Sequence, residues 1–272
     1  MNITKKSHLN NNKVNIILFL IKLLKFIGFG RGILKKILFK IIKRFIGAEG
    51  IHYIYNSKLF KLFPLRNSTD SKMIISSKII DYHELNALKD LNKSSGSIFF
   101  DIGANIGYYS ISCSDYGFKK IFAFEPIPRV IEQLKTNIQL NELEDLIQVI
   151  PKGLGEKNEI KEIHEDLTNF GNSSFTNKIS KKIMHKIEAI NLKDFIKERG
   201  IVTIDAIKID VEGYEDRVLY PLLESLREDK LPKILIIEFS NSNLWKKDLF
   251  KLIKTKNYKR KLKTRGNIVY IR

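Results

Sequence analysis

Residues 97–107 read SIFFDIGANIG, and this stretch decides the fold. Residues 97–100 are a short apolar run of strand type that leads into an acid, Asp101. Gly103 and Gly107 follow at once, and glycine lets a chain turn sharply after a buried strand and approach a ligand closely. The pattern places a helix over 108–116, whose first backbone N–H groups are free to bind something. The spacing is not the G-x-G-x-x-G of a dinucleotide-binding turn, and an acid at the strand end disfavours a pyrophosphate. It suits a ligand with an ammonium group, such as the methionine part of S-adenosylmethionine.

Outward from this motif, apolar runs alternate with helical patterns. Strands are expected at 120–124, 146–150, 206–209 and 234–239, and helices at 130–140, 192–199 and 218–227. A terminal β-hairpin is expected at 258–263 and 268–271. Alternation of this kind predicts a doubly wound α/β domain whose ligands sit at the carboxyl ends of its strands. Glu125, at the end of the second strand, lies 24 residues beyond Asp101. That is close to the offset of about 20 at which a carboxylate takes ribose hydroxyls in nucleotide-binding units.

A second cluster, DAIKIDVEGYE, spans 205–215. Strand periodicity puts Lys208 and Asp210 on one face. A lysine in a buried central strand needs a charged partner, and Asp210, Asp101 and Glu238 are the candidates. Such a group either locks strand ends together as an ion pair or takes part in chemistry directly. Asp210 is the candidate base, with Lys208 and Glu238 supporting it or touching substrate. The sequence carries no metal-ligand cluster, although Asp210 and Glu238 are hard-oxygen groups of the kind a divalent ion takes. His164 and His185 lie in a less regular polar stretch, 156–191, without metal-ligand spacing. The polar loop 169–175 (NFGNSSF) is expected to border the acceptor site.

The chain has 272 residues, 43% of them hydrophobic, which excludes wholesale disorder. Its one cysteine, Cys113, excludes an internal disulfide and a cysteine-based zinc cluster. The net charge of +18 is unevenly placed. Residues 1–66 hold fourteen Lys/Arg against a single acid, Glu49, whereas the remainder holds 34 against 29 acids. Residues 14–29 form an apolar stretch too short and too charged, through Lys22 and Lys25, to span a bilayer. Over 33–46, Ile33, Leu34, Ile37, Leu38, Ile41 and Phe45 share one helical face and Lys35, Lys36, Lys40, Lys43 and Arg44 the other. A basic amphipathic helix of this kind is expected to lie against an anionic membrane surface, through residues 14–46, or to pack on the following domain. The domain boundary is placed in the polar break at 67–71, giving a helical N-terminal segment 1–70 and a catalytic domain 71–272.

The motifs DIGANIGYYS (101–110), AFEPIP (123–128), Lys135-Thr-Asn137 with Asn141, NLKDF (191–195) and IDAIKIDVEGYE (204–215) resemble those of FkbM-family methyltransferases, over about residues 75–240. The resemblance implies a class I methyltransferase fold, Rossmann-like, with a seven-stranded, mostly parallel sheet and an antiparallel last strand. It implies S-adenosylmethionine as cofactor, and methyl transfer to a hydroxyl of a sugar, glycan or secondary metabolite. It places Asp101, Gly103, Asn105 and Gly107 around the methionine part, Glu125 on the ribose, and Asp210 beside the sulfonium or the acceptor. A small-molecule or glycan acceptor and a cytoplasmic location, peripheral at the inner membrane face, complete this reading. Two other readings compete with it: an RNA methyltransferase using the basic arm, and a non-catalytic membrane-associated binding module. Nucleic acid is disfavoured because the domain beyond residue 66 is nearly neutral.

Overall fold

A computed structural model describes residues 10, 12–27, 37, 40, 50–64, 66–91, 96–166 and 182–272. The described residues fall into two compact units, the first within residues 1–82 and the second in His83–Asp166 and Asn172–Arg272. The basic amphipathic stretch 33–46 lies outside the described residues, apart from Ile37 and Lys40, as does the loop 169–175. In the first unit, Asn12–Phe26 forms helix α1, and Ile51–Tyr55 (β1) and Lys58–Leu62 (β2) pair as an antiparallel hairpin. Its two turn residues, Asn56 and Ser57, both have positive φ, 48° and 65°. That turn shape matches the natural twist of two strands, yet the Asn-Ser pair lacks the glycine that normally signals it. Ser68–Ile75 (α2) is capped by Asn67, whose side chain accepts from the Thr69 N–H.

Helix α3 (Tyr82–Lys89) leads into the second unit, which then alternates as expected. Its successive elements are β3 (Ile98–Ile102), α4 (Tyr108–Ser112), β4 (Lys120–Phe124), α5 (Pro128–Gln139) and β5 (Ile147–Ile150). Three strands follow, β6 (Gly153–Gly155), β7 (Glu159–Asp166) and β8 (Lys182–Asn191). The chain then continues through α6 (Leu192–Glu198), β9 (Ala206–Ile209), α7 (Glu215–Ser225), β10 (Ile234–Glu238), α8 (Leu249–Thr255), β11 (Lys259–Lys263) and β12 (Asn267–Ile271). Seven strands make one sheet in the order β11-β12-β10-β9-β3-β4-β5. Strands β10, β9, β3, β4 and β5 are mutually parallel, and β12 runs antiparallel to β10. This is the class I methyltransferase arrangement that the motifs implied, with the terminal hairpin in place. The central strands read as near-continuous apolar runs, interrupted by Asp101 and Lys208, because both faces are covered: every residue of β9 is buried.

The stretch 156–191 departs from its reading as irregular. Strands β6, β8 and β7 form a separate three-stranded sheet, with β7 antiparallel to β8. Among the described side chains of its long strands, the buried ones are Ile163, Ile187, Ala189 and Ile190. Most of their other positions carry charge, so the apolar alternation that announces a strand is faint.

Strand β3 is the pivot. After β4 and β5 are laid down on one side of it, the chain returns to place β9 on the other. The crevice above such a reversal is where open α/β sheets take ligands. Here β3 and β9 nearly touch: the Asp210 N–H donates to the Ile102 carbonyl at 3.0 Å. A Cβ added to Gly103, whose φ is +72°, would lie 1.9 Å from the Asp210 carbonyl oxygen. Gly103→Ala is therefore expected to destabilise the fold by on the order of 3 kcal/mol or more. Gly155→Ala, whose Cβ would meet only Tyr214 at 3.8 Å, should change stability by less than about 1 kcal/mol. Urea unfolding of both variants checks the contrast.

Candidate active site

The loop after β3 is a strained turn held from three sides. Gly103, Asn105 and Gly107 all have positive φ, at 72°, 52° and 86°. Asparagine tolerates this region better than most residues, and a Cβ on Gly107 would strike Leu134 at 2.6 Å. The N–H groups of Gly103 and Ala104 donate to the Phe124 carbonyl at the end of β4. From α5, the fully buried Asn137 amide donates to the Ile106 carbonyl at 3.0 Å, which explains the Asn in the motif there. Glu125 completes the turn: one carboxylate oxygen accepts from the Asn105 N–H and the other from the Ile127 N–H, both at 3.0 Å. Burial pushes its carboxyl up to about 7, against the pull of those two N–H groups.

Asp101 lies beneath this loop and is fully buried. Its Oδ2 accepts from the Ser110 hydroxyl at 2.6 Å and the Ser110 N–H at 3.0 Å. Its Oδ1 faces the Lys208 ammonium at 3.7 Å. Burial raises the Asp101 carboxyl, and Lys208 and then Ser110 oppose that rise. Lys208 sits opposite Asp101 in the β3–β9 register. Its Nζ donates to the Gly103 carbonyl at 3.1 Å and stands 3.9 Å from Asp210. The lysine thus has the partners that sequence reasoning required of it, Asp101 and Asp210.

Beyond β9 the carboxylates crowd together. An oxygen from each of Asp210, Glu215 and Glu238 lies within 4.8 Å of the other two, and these are the described residues that could together hold a hard cation. Glu215, at the start of α7, is fully buried and shapes the loop. Its Oε1 accepts from the Val211 and Gly213 N–H groups, and its Oε2 from the Trp245 indole N–H at 2.8 Å. Trp245 is spent on that bond and on packing with Phe250 at 4.9 Å. Glu238 accepts from the Ser240 N–H. His164 and His185 stand apart from this group by element, on β7 and β8.

Sequence reasoning passed over Glu212. It has φ +55°, uncommon for a residue with a side chain, and the Asn241 amide donates to it at 2.9 Å. Burial first, then the charges of Asp210, Glu238 and Glu215, push its carboxyl up to about 8. The signal was present in the run Asp210-Val-Glu212-Gly-Tyr-Glu215, three acids within six residues. Such crowding has a thermodynamic signature. A carboxyl whose folded pKa lies above its unfolded value favours folding where it is protonated, and that contribution is lost as pH rises through the folded value. Glu125 and Glu215, each pushed up to about 7, and Glu212, at about 8, all start from an ordinary 4.5. Tm is therefore expected to fall as pH rises from about 4.5 to about 8. Glu212→Gln should flatten the upper part of that fall and raise Tm at pH 8 by roughly several degrees. Differential scanning calorimetry across the range checks both.

Parts of the sequence match known proteins. Over 160 residues the chain is 28% identical to methyltransferase sdnD of Sordaria araneosa, covering 47% of this chain and 61% of that protein. It is 26% identical over 156 residues to the hexuronic acid methyltransferase AglP of Haloferax volcanii, covering 57% of this chain and 61% of that one. The chain thus spans about three fifths of the length of these two curated relatives. The crystal structure of methyltransferase FkbM from Methylobacillus flagellatus KT superposes with a TM-score of 0.49 at 18% identity, covering 73% of this chain and 52% of that one. The family model for the methyltransferase FkbM domain matches residues 101–259, from Asp101 at the end of β3 to the start of β11. That match takes in more than half of the chain, and the protein belongs to the FkbM methyltransferase family.

Proposed function

We propose that this protein transfers a methyl group from S-adenosylmethionine to a hydroxyl of a sugar or glycan acceptor. The observation that carries the reading is the placement of Glu125 and Asp210 just beyond β4 and β9, the strands on either side of β3 and its Gly103–Gly107 turn. The donor set fits the cofactor: Glu125 and Asp210, at the ends of the strands on either side of β3, suit a ligand bearing a ribose diol and a positively charged sulfur. When bound, the cofactor supplies a methyl group activated on a positively charged sulfur, which leaves as a neutral thioether.

The chain's own groups do the rest. Glu125, already fixed by two N–H groups, accepts from the ribose hydroxyls. Gly103, Asn105 and Gly107 present backbone to the methionine part, and Asp101 supports that wall from below through Ser110 and Lys208. The Asp210 carboxylate takes the proton from the attacking hydroxyl, which a base must remove as the new C–O bond forms. Lys208 and Glu238 act as positioning residues that fix where Asp210 points. Glu212, pushed up to about 8 by burial and its acidic neighbours, already holds a proton near neutral pH and so leaves the base role to Asp210. The hexuronic acid named for AglP supports a sugar acceptor.

Isothermal titration of S-adenosylmethionine tests the first half of this reading. Binding in the micromolar range, weakened about 100-fold by Glu125→Ala and also by lowering the pH through about 7, is expected. No binding by the folded chain would overturn the reading. Asp210→Asn should leave that affinity within about threefold and lower the turnover of an accepted sugar or uronic acid glycoside by roughly 10²- to 10³-fold. Full turnover in Asp210→Asn would remove Asp210 from the base role.

A further inference from the structure

We propose that helix α1 is an interfacial anchor that lies flat on an anionic lipid bilayer. Its outer face carries Ile16, Phe19, Leu20, Leu23 and Phe26, continued by Ile27 just past its end, and all six are exposed; Phe19 is 67% and Phe26 88% accessible. At 100° per residue these six fall within an arc of about 120°, the width of a helix face that binds something. The opposite side is already committed. Ile17 and Ile21 are buried, and the Lys25 ammonium donates to the Ile74 carbonyl at 3.0 Å. Folding of the first unit therefore consumes one side of α1 and leaves a contiguous apolar stripe on the other. Stripes of that size on a soluble surface mark a binding site.

Charge selects the occupant. Lys13 and Lys22, both exposed, lie on opposite margins of the stripe, where their stems can run along apolar surface while the ammonium groups reach a headgroup layer. In the sequence, residues 1–66 hold fourteen Lys/Arg and one acid. A second copy of so basic a segment would be repelled, whereas an anionic leaflet attracts it. The fifteen residues of α1 measure about 22 Å, short of the roughly 30 Å hydrocarbon core. No helix among the described residues is long and apolar enough to cross a membrane. The stripe with its cationic margins is the pattern of a helix that lies in the interface plane.

Co-sedimentation of the full chain tests this, using vesicles of phosphatidylcholine mixed with phosphatidylglycerol and vesicles of phosphatidylcholine alone. The wild type should bind the anionic vesicles, more weakly as salt rises. Phe19→Ser/Leu23→Ser should lose binding about tenfold or more at unchanged Tm, because both side chains face solvent. Lys13→Gln/Lys22→Gln should weaken it by several-fold. Phe26→Ser, at the helix end, repeats the apolar test should the pair perturb folding. The proposal is overturned by absence of vesicle binding, or by binding that the apolar substitutions leave intact. It also falls if light scattering finds a wild-type dimer that Phe19→Ser/Leu23→Ser dissociates.

Discussion

The buried ammonium of Lys208 is the contact on which the candidate site depends. It reaches Asp101 at the end of β3, Asp210 just beyond β9, and the carbonyl of Gly103 between them. Those strands are neighbours because the chain reverses its direction of build there, and the ligand crevice opens above that reversal. Without the lysine, the fully buried Asp101 would face a second carboxylate with no cation to balance it, an arrangement that costs several kcal/mol in a low-dielectric interior. The lysine therefore does by electrostatics what the Asp210 N–H to Ile102 hydrogen bond does by geometry: it keeps two strand ends in contact just where a turn must form.

The same region accumulates negative charge that the fold would be more stable without. Glu212, Glu215 and Glu238 are all raised, burial being the first cause in each. Glu215 has a structural use, since it ties Val211, Gly213 and Trp245 into one loop. Glu212 has less structural return: one amide bond, in a backbone conformation that disfavours side chains. Strain and like-charge crowding in one place, tolerated at a loss of stability, is the usual physical mark of groups retained for chemistry.

Much of this architecture was legible because a parallel sheet writes its strands as near-continuous apolar runs and punctuates them with turn residues. β3, β4, β5, β9 and β10 and the terminal hairpin all lie within a residue or two of their expected positions. The partners of Lys208 were legible too, since a buried cation has few solutions. What escaped notice obeyed weaker signals. β7 and β8 pair mostly charged faces, and the β1–β2 hairpin turns on Asn56-Ser57 without a glycine. Glu212 was hidden in a run of acids, and its own raised proton affinity exists only once folding takes it out of water. The amphipathic stretch 33–46 drew attention to the basic N-terminus, whereas the apolar stripe of α1 emerges only when the structure separates its buried side from its exposed one.

The contact between Gly103 and the Asp210 carbonyl also bears on descent. At a Cβ distance of 1.9 Å no side chain is admissible, whatever the protein does with its crevice. A lineage that stopped transferring methyl groups would keep that glycine so long as it kept the fold, because drift there is closed off by steric exclusion rather than by selection on turnover. Asp210 and Glu212 are under no such constraint. In a comparison of diverged copies, the glycine is a marker of ancestry of the fold, whereas the acids are positions that steric exclusion leaves free to change.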